Sequence, residues 1–330
     1  MSAQFPDLET TRSALMLAAR APSVHNSQPW QWRLGERSLH LYANRRLHLQ
    51  HTDPDARDMM VSCGATLNHG QIAFAALGWQ AKIHRFPNPD DPDHLASLEL
   101  HRHPAGDLDI ALAAAIPRRR TDRRRYSPWL VAHGDIALMG SRAARMGVTM
   151  RRVDDLPGLQ GIVAEAAWRH AGDRDYSAEL ATWSGRYGAA AGVPARNTPK
   201  PDARAPIPAR WFAGPVLTQP QGSDAHDDGA VVIALGTTDD GELSRLRAGE
   251  ATSTVLLTAT ALGLASCPIT EPLEFTETRA GVREHVFDGD SCPQMLLRIG
   301  WAPVNADPLP ATPRRKLNEV LARLDGTPLG

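Results

Sequence analysis

Apolar and polar positions change period repeatedly along this chain, and the changes mark its elements. Leu8 to Arg20 carries a helical spacing of apolar residues, and Pro22 breaks it because proline has no N–H and clashes with the preceding turn. Trp30-Gln31-Trp32-Arg33-Leu34 then alternates with period two, as does Leu39 to Ala43, and Gly35 suits the turn of a hairpin. Asp53 is placed to cap a long helix, with Pro54 at its first position and Gly78 after its last residue, Leu77. Ala81 to Phe86 and Leu95 to Arg102 read as strands around the turn Pro87 to Asp93. Asp107 to Ile116 is a short alanine-rich helix, and another lies around Ile136 to Met146. Helices and strands mixed in this order predict an α+β protein.

The second part of the chain echoes the first. Gly64 to Gly78 (GATLNHGQIAFAALG) aligns without a gap to Gly249 to Gly263 (GEATSTVLLTATALG). Each is followed by a stretch leading to a strand, Leu95 to Arg102 and Gln294 to Trp301. Two buried helices can look alike by chance, but the shared order of several elements favours an internal duplication. Asp173 to Gly229 breaks the pattern. It is rich in Ala, Pro, Gly, Asp and Arg, lacks clean periodicity, and carries Trp183, Tyr187, Trp211 and Phe212. Linkers rarely hold two tryptophans, so the segment reads as a packed cover.

Composition narrows the function. The chain has 330 residues, 42% apolar and 22% charged, which fits a folded globular protein. A net charge of −1 gives no global field for nucleic acid or anionic membrane, and no apolar run is long enough for a membrane span. The first residues lack a basic-then-apolar leader, and Cys63, Cys267 and Cys292 are scattered without metal-site spacing. A cytoplasmic protein with reduced thiols is expected. His101 and His103 can share a strand face, but solvated strand histidines are commoner than metal ligands, and no metal is expected. The Gly-x-Gly-x-x-Gly, Walker A and Gly-x-Ser-x-Gly signatures are absent.

Four stretches carry candidate chemistry. Ala21 to Trp30 reads APSVHNSQPW, a polar irregular loop between a helix and a strand; it suits a flat hydrogen-bonding ligand or is simply a turn. Arg118 to Tyr126 reads RRRTDRRRY. Its guanidinium forks and hydroxyl suit a phosphate monoester; a solvated basic loop and a nucleic-acid patch are the alternatives, the latter disfavoured by the neutral whole. The third and fourth are Ala261 to Glu271 (ALGLASCPITE) and Thr312 to Leu317 (TPRRKL).

Together these four stretches resemble the FMN-dependent nitroreductases, and APSVHNSQPW most resembles the actinobacterial, dormancy-associated Acg-like branch. The resemblance implies an α+β nitroreductase fold, a mixed sheet between helices, in two fused halves related by a pseudo-twofold. Residues 1–105 form the first half and 106–330 the second, with 173–229 an inserted lid. It implies that Pro22, Ser23, Val24 and Asn26 cover one face of the flavin ring. Arg119, Arg120, Thr121 and Arg123 fall on the phosphate pattern, joined by Arg314 and Arg315. Pro268, Ile269, Thr270 and Glu271 fall on the strand beside the ring. The two halves complement each other, so one FMN per monomer is implied. As an enzyme, the protein would pass electrons from NAD(P)H through FMN to a small aromatic acceptor, with no catalytic side chain required. As a storage or sequestering protein, it would hold FMN under a closed lid without turnover.

Overall fold

Asp7 starts the first helix, because its carboxylate accepts from the backbone N–H of Thr10 at 2.7 Å. That helix, α1 (Leu8–Ala18), buries Thr11, Ala14, Leu15 and Ala18, the stripe that a 3.6-residue period turns to one side. The computed structural model describes residues 5–185, 189–200, 202, 205–219, 228–304 and 306–329. After α1 the chain forms the hairpin β1 (Trp30–Leu34) and β2 (Leu39–Ala43), then helix α2 (Arg57–Ala76) and the hairpin β3 (Trp79–Arg85) and β4 (His94–Arg102). Alternation in β1 sends Trp30 and Trp32 into the core, both fully buried. The strands lie in the order β3-β4-β2-β1-β9, where β9 (Leu321–Arg323) runs parallel to β1 and the other pairs are antiparallel. The C-terminal strand thus returns to a sheet made otherwise from the first third of the chain.

Helices α3 (Asp107–Ala115) and α4 (His133–Ala144) lead to a second sheet. Its strands are β5 (Thr149–Arg152), β6 (Val231–Thr237), β7 (Ala265–Ile269) and β8 (Cys292–Gly300), in the order β5-β6-β8-β7, all antiparallel. The remaining helices are α5 (Leu156–Ala171), α6 (Arg174–Trp183), α7 (Glu242–Ala261), α8 (Thr276–Phe287) and α9 (Leu317–Val320). The class is α+β. The antiparallel run β3-β4-β2-β1 has its counterpart in β7-β8-β6-β5, with α2 and α7 in corresponding places.

Those two helices cross at the centre. A Cβ on Gly64 would lie 2.0 Å from the Leu246 carbonyl oxygen, and one on Gly249 would lie 2.0 Å from the Val61 oxygen. Only glycine permits this approach. Ser253 Oγ donates to Asn68 Oδ1 at 2.6 Å across the same crossing. Each partner occupies the place of the other in the two aligned sequence segments.

Two features depart from the sequence reading. Helix α2 begins at Arg57, not Pro54, because Ala56 takes a left-handed conformation (φ 57°). Asp53 still caps it, accepting from the N–H groups of Asp58 at 2.8 Å and Met59 at 2.7 Å. The segment expected to lack regular structure opens with α6, capped by Asp173. Among the described residues no helix is long and apolar enough to cross a membrane.

Candidate functional site

The loop from Pro22 to Gln28 is strained and held from several sides. His25, Asn26 and Gln28 have φ of 43°, 55° and 55°, a region costly for residues with a Cβ. Ser23 Oγ accepts from Gln28 N at 3.0 Å, and Ser62 Oγ of α2 accepts from Val24 N at 3.0 Å. The Asn26 amide donates to the carbonyls of Gly192 at 3.0 Å and Pro313 at 3.1 Å. Gln28 donates to Ala190 O at 2.9 Å and accepts from Arg315 N at 2.8 Å. Asn26 and Gln28 therefore pin the loop to residues 190 and 192 and to the C-terminal TPRRKL stretch.

The arginine run lies along β7, with Thr121 bridged to Ser266 and Asp122 N donating to Ser266 O at 2.9 Å. This register gives each guanidinium a different fate. Arg124 is held by Asp122 at 2.9 and 2.8 Å, and Arg125 pairs with Asp202. Arg120 donates to the carbonyls of Pro117, Arg119 and Leu309. Arg123 donates to Asn197 O at 3.2 Å and packs on the Phe212 ring, 4.8 Å from its centroid. Arg119 is different. It is 7% exposed, and its Nε and Nη1 are buried without a hydrogen-bond partner among the described residues.

Around Arg119 stand three more cations. Burial, with Arg120 and Arg20 nearby, pushes Arg119 down to about 10. Burial, with Arg119, Arg20 and Arg120 nearby, pushes Arg314 down to about 9. Arg314 also donates to the carbonyls of Arg20 at 3.0 Å and Ala21 at 3.1 Å, and its Nε has no partner among the described residues. A buried guanidinium without a counter-charge costs several kcal/mol, and an oxyanion is the group that removes the cost.

Beside this cluster lies a cavity. The loop contributes Pro22, Ser23, Val24 and His25; α2 contributes Asp58, Val61, Ser62 and Ala65; the arginine run contributes Thr121 and Arg123. Cys267, Pro268, Ile269, Thr270 and Glu271 also line it, with Met295 and Arg298 of β8. Ile207, Pro208, Ala209, Arg210 and Phe212, from the stretch after α6, complete the lining. Arg210 is its hub: Nη1 donates to His25 Nε2 at 2.8 Å, and Nη2 pairs with Glu274 and reaches Thr270 Oγ1 at 3.3 Å. Burial, with Arg210 and Arg123 adjacent, holds His25 well below the ordinary imidazole value, so the ring is neutral and carries its proton on Nδ1. His170 stacks on Tyr176 and reaches Glu271 at 3.3 Å and Glu274 at 3.5 Å.

Of the residues singled out from sequence, Pro22, Ser23, Val24, Thr121, Arg123, Pro268, Ile269, Thr270 and Glu271 line the cavity. Arg119, Arg120 and Arg314 are not in the lining; Arg119 and Arg120 precede Thr121 in the chain, and Arg314 donates to Ala21 O, next to Pro22. Asn26 and Arg315 lie outside the lining: the Asn26 amide is occupied as described, and Arg315 sits 3.8 Å from Glu319. Among the cover aromatics, Phe212 lines the cavity, Trp211 is 58% exposed, Trp183 is half-buried at the end of α6, and Tyr187 lies outside the described residues. Sequence reasoning missed Arg20, His25, Asp58 and Arg210. The first two flank or belong to the loop motif, whereas Asp58 and Arg210 give no local signal. Among the described residues no group of three or more His, Cys, Asp or Glu could hold a metal ion.

No family model matches the chain. The Mycobacterium tuberculosis protein named "Putative NAD(P)H nitroreductase Rv3131" is 58% identical over 321 residues, covering 97% of this chain and 93% of its own. "Putative NAD(P)H nitroreductase acg" from the same species is 35% identical, covering 94% and 95%. Among solved structures, the FMN-dependent nitroreductase NfnB from Mycobacterium smegmatis in complex with NADPH matches with a TM-score of 0.39 and 18% identity, covering 64% of this chain and 97% of that one. A Bacteroides fragilis nitroreductase with bound FMN gives 0.39 and 14%, covering 59% and 90%.

Proposed function

This chain belongs to the NAD(P)H nitroreductase family, in its Acg-like branch, and from that premise we propose that it holds one FMN and passes electrons through it from NAD(P)H to a small aromatic acceptor. The observation that carries the reading is Arg119, a buried guanidinium with two unpartnered nitrogens among Arg20, Arg120 and Arg314. Two residues on, Thr121 enters the cavity, and Arg314 bonds the carbonyl next to Pro22. A phosphate on this cluster would leave an attached ring system to occupy the cavity that Pro22 to Val24 and Cys267 to Thr270 line. When bound, FMN supplies the electron-transfer chemistry; the chain binds it, orients it and excludes water.

The single site follows from the correspondence of the two halves, which supports the reading of two fused, pseudo-twofold-related units with a boundary near residue 105. On α2, Ala65 lines the cavity. The matching position on α7 is Glu250, buried and bridged by Arg85 of β3 at 2.7 and 2.6 Å. An ion pair there leaves no space for a second flavin. We accordingly expect a monomer with its site complete in one chain.

A second reading is favoured by one observation: Ile207 to Arg210 and Phe212 line the cavity, with Arg210 tied to His25 and Glu274. A lid held this way lets the protein store FMN without turnover. Anaerobic mixing with NADPH and with NADH, followed by flavin absorbance, separates the two. Fast, saturable reduction supports the reductase. No reduction of the intact chain, with reduction appearing on Phe212→Ala, supports storage.

A further inference from the structure

We propose that the outer face of the first sheet carries a second ligand site, which takes a small phosphate ester. Trp30 and Trp32 turn into the core, so the alternation of β1 puts Gln31 and Arg33 on the opposite face. There Gln31 lies opposite Tyr42 of β2, and Arg33 lies beside Ala322 of β9. The turn after β2, with Arg45 and Arg46, and the C-terminal turn, with Gly326 and Pro328, complete a pocket of about 580 Å³. That volume falls in the range of small-molecule sites. The pocket shares no lining residue with the cavity described above.

Its lining is rich in donors. Arg33, Arg45 and Arg46 contribute three guanidinium groups, and Gln31, Asn44 and Asn318 contribute side-chain amides. Among the described residues Asp93 is the only carboxylate in the lining, and it pairs with Arg45 at 2.5 Å. Three cations less one anion leave two positive charges. The guanidinium groups of Arg33 and Arg46 have no ion pair or hydrogen bond among the described residues. All three arginines keep accessible surface: the Arg45 side chain is 49% exposed, Arg46 is exposed and Arg33 is half-buried. Two of them are also steadied. Arg33 Cζ lies 3.9 Å from the centroid of Tyr42, which stacks on His94 at 4.4 Å. Asn44 Oδ1 accepts from Arg46 N at 3.3 Å and fixes the turn.

These features select the ligand. A phosphate monoester carries about two negative charges and three acceptor oxygens near neutral pH, which matches the two unmet cations, and arginine forks pair with such oxygens through parallel hydrogen bonds. A monocarboxylate leaves one cation unmet. Inorganic phosphate fills a small part of the volume and makes no use of Ala43, Ala322 and Pro328, the apolar part of the lining, which suits a carbon skeleton. A net charge of −1 on the chain gives no wider field for a polyanion.

The site stands apart from the flavin reading, and its test does not need that reading to hold. Titration calorimetry of the full chain, saturated with FMN and freed of excess, compares ribose 5-phosphate, inorganic phosphate and ribose. Ribose 5-phosphate is expected to bind, inorganic phosphate to bind more weakly and ribose not at all. Arg33→Gln and Arg46→Gln should each weaken ribose 5-phosphate roughly tenfold or more. Asp93→Asn removes the competing carboxylate and frees Arg45, so it should tighten binding, an effect that damage to the fold does not produce. Arg119→Met should leave this binding unchanged, whether or not the chain holds FMN. No binding of ribose 5-phosphate, equal affinity for inorganic phosphate, or affinity that follows Arg119 and not Arg33 and Arg46 would overturn the proposal. Unchanged or weaker binding by Asp93→Asn would do the same.

Discussion

Replacing Arg119 with methionine should have opposite effects on the ligand-free and the FMN-bound protein. In the ligand-free chain Arg119 is a buried cation with Nε and Nη1 unpaired and with Arg20 and Arg120 repelling it. Methionine fills similar volume without the charge. Exchanges of buried charge for apolar packing commonly stabilise by ~1–4 kcal/mol. A gain of ~1 kcal/mol raises the melting temperature by roughly 2–4 °C in chains somewhat shorter than this one, so calorimetry of the ligand-free variant should record a rise. In the complex, if Nε and Nη1 donate to the phosphate, the variant loses two hydrogen bonds to a charged group at ~1.5–3 kcal/mol each. The sum is ~3–6 kcal/mol, or roughly a hundredfold to ten-thousandfold in FMN affinity. Riboflavin lacks the phosphate, and its affinity should stay nearly constant. Fluorescence titration of ligand-free protein with both flavins measures the contrast. Equal losses for FMN and riboflavin, or a lower melting temperature for the ligand-free variant, would refute the assignment of Arg119 to an anion.

Two further outcomes follow from the same geometry. Burial alone would raise the Asp240 carboxyl, but hydrogen bonds from Arg279, Arg245 and Gln294 draw it well below the usual carboxylate range. A depressed folded-state value contributes stability above the ordinary aspartate range and loses it as pH falls below about 4. Asp240→Asn should therefore destabilise by ~1–3 kcal/mol at neutral pH, with the difference vanishing in acid; a difference that persists in acid would contradict the ion network. In the cover, Phe212→Ala removes a buried ring and should cost ~3–5 kcal/mol locally while speeding flavin reduction. Trp211→Ala, whose ring is largely exposed, should do neither, and stopped-flow absorbance that ranks the two the other way would count against the cover.

Local pattern carried most of the fold. Helix α1, the hairpin β1–β2 and the strands β4 and β8 follow from period and turn residues, because each buries one face against a nearby element. Strand β9 does not: three residues far from β1 in sequence pair with it through long-range packing of Val320 and Leu321 into the first-half core. The cavity-lining loop was legible because Ser, Asn, Gln and Pro in that order leave few backbone solutions. Which arginine is left without a counter-charge was not legible. Arg119, Arg123, Arg124 and Arg125 are the same residue type in one run, and their fates depend on the register against Ser266 and on Asp122 and Asp202. Asp58 and Arg210 were invisible for a related reason: each acquires its meaning only from partners brought by folding, Arg57 and the cavity for one, His25 and Glu274 for the other.

The most direct test of the account is the identity and amount of flavin the chain binds. Purified protein is saturated with FMN, freed of excess, and denatured; the released flavin is separated and quantified against protein concentration, with light scattering giving the molar mass. The account predicts FMN, one per chain, on a monomer. Release of FAD, two flavins per chain, a site that forms only in a dimer, or no uptake of FMN at all would contradict it.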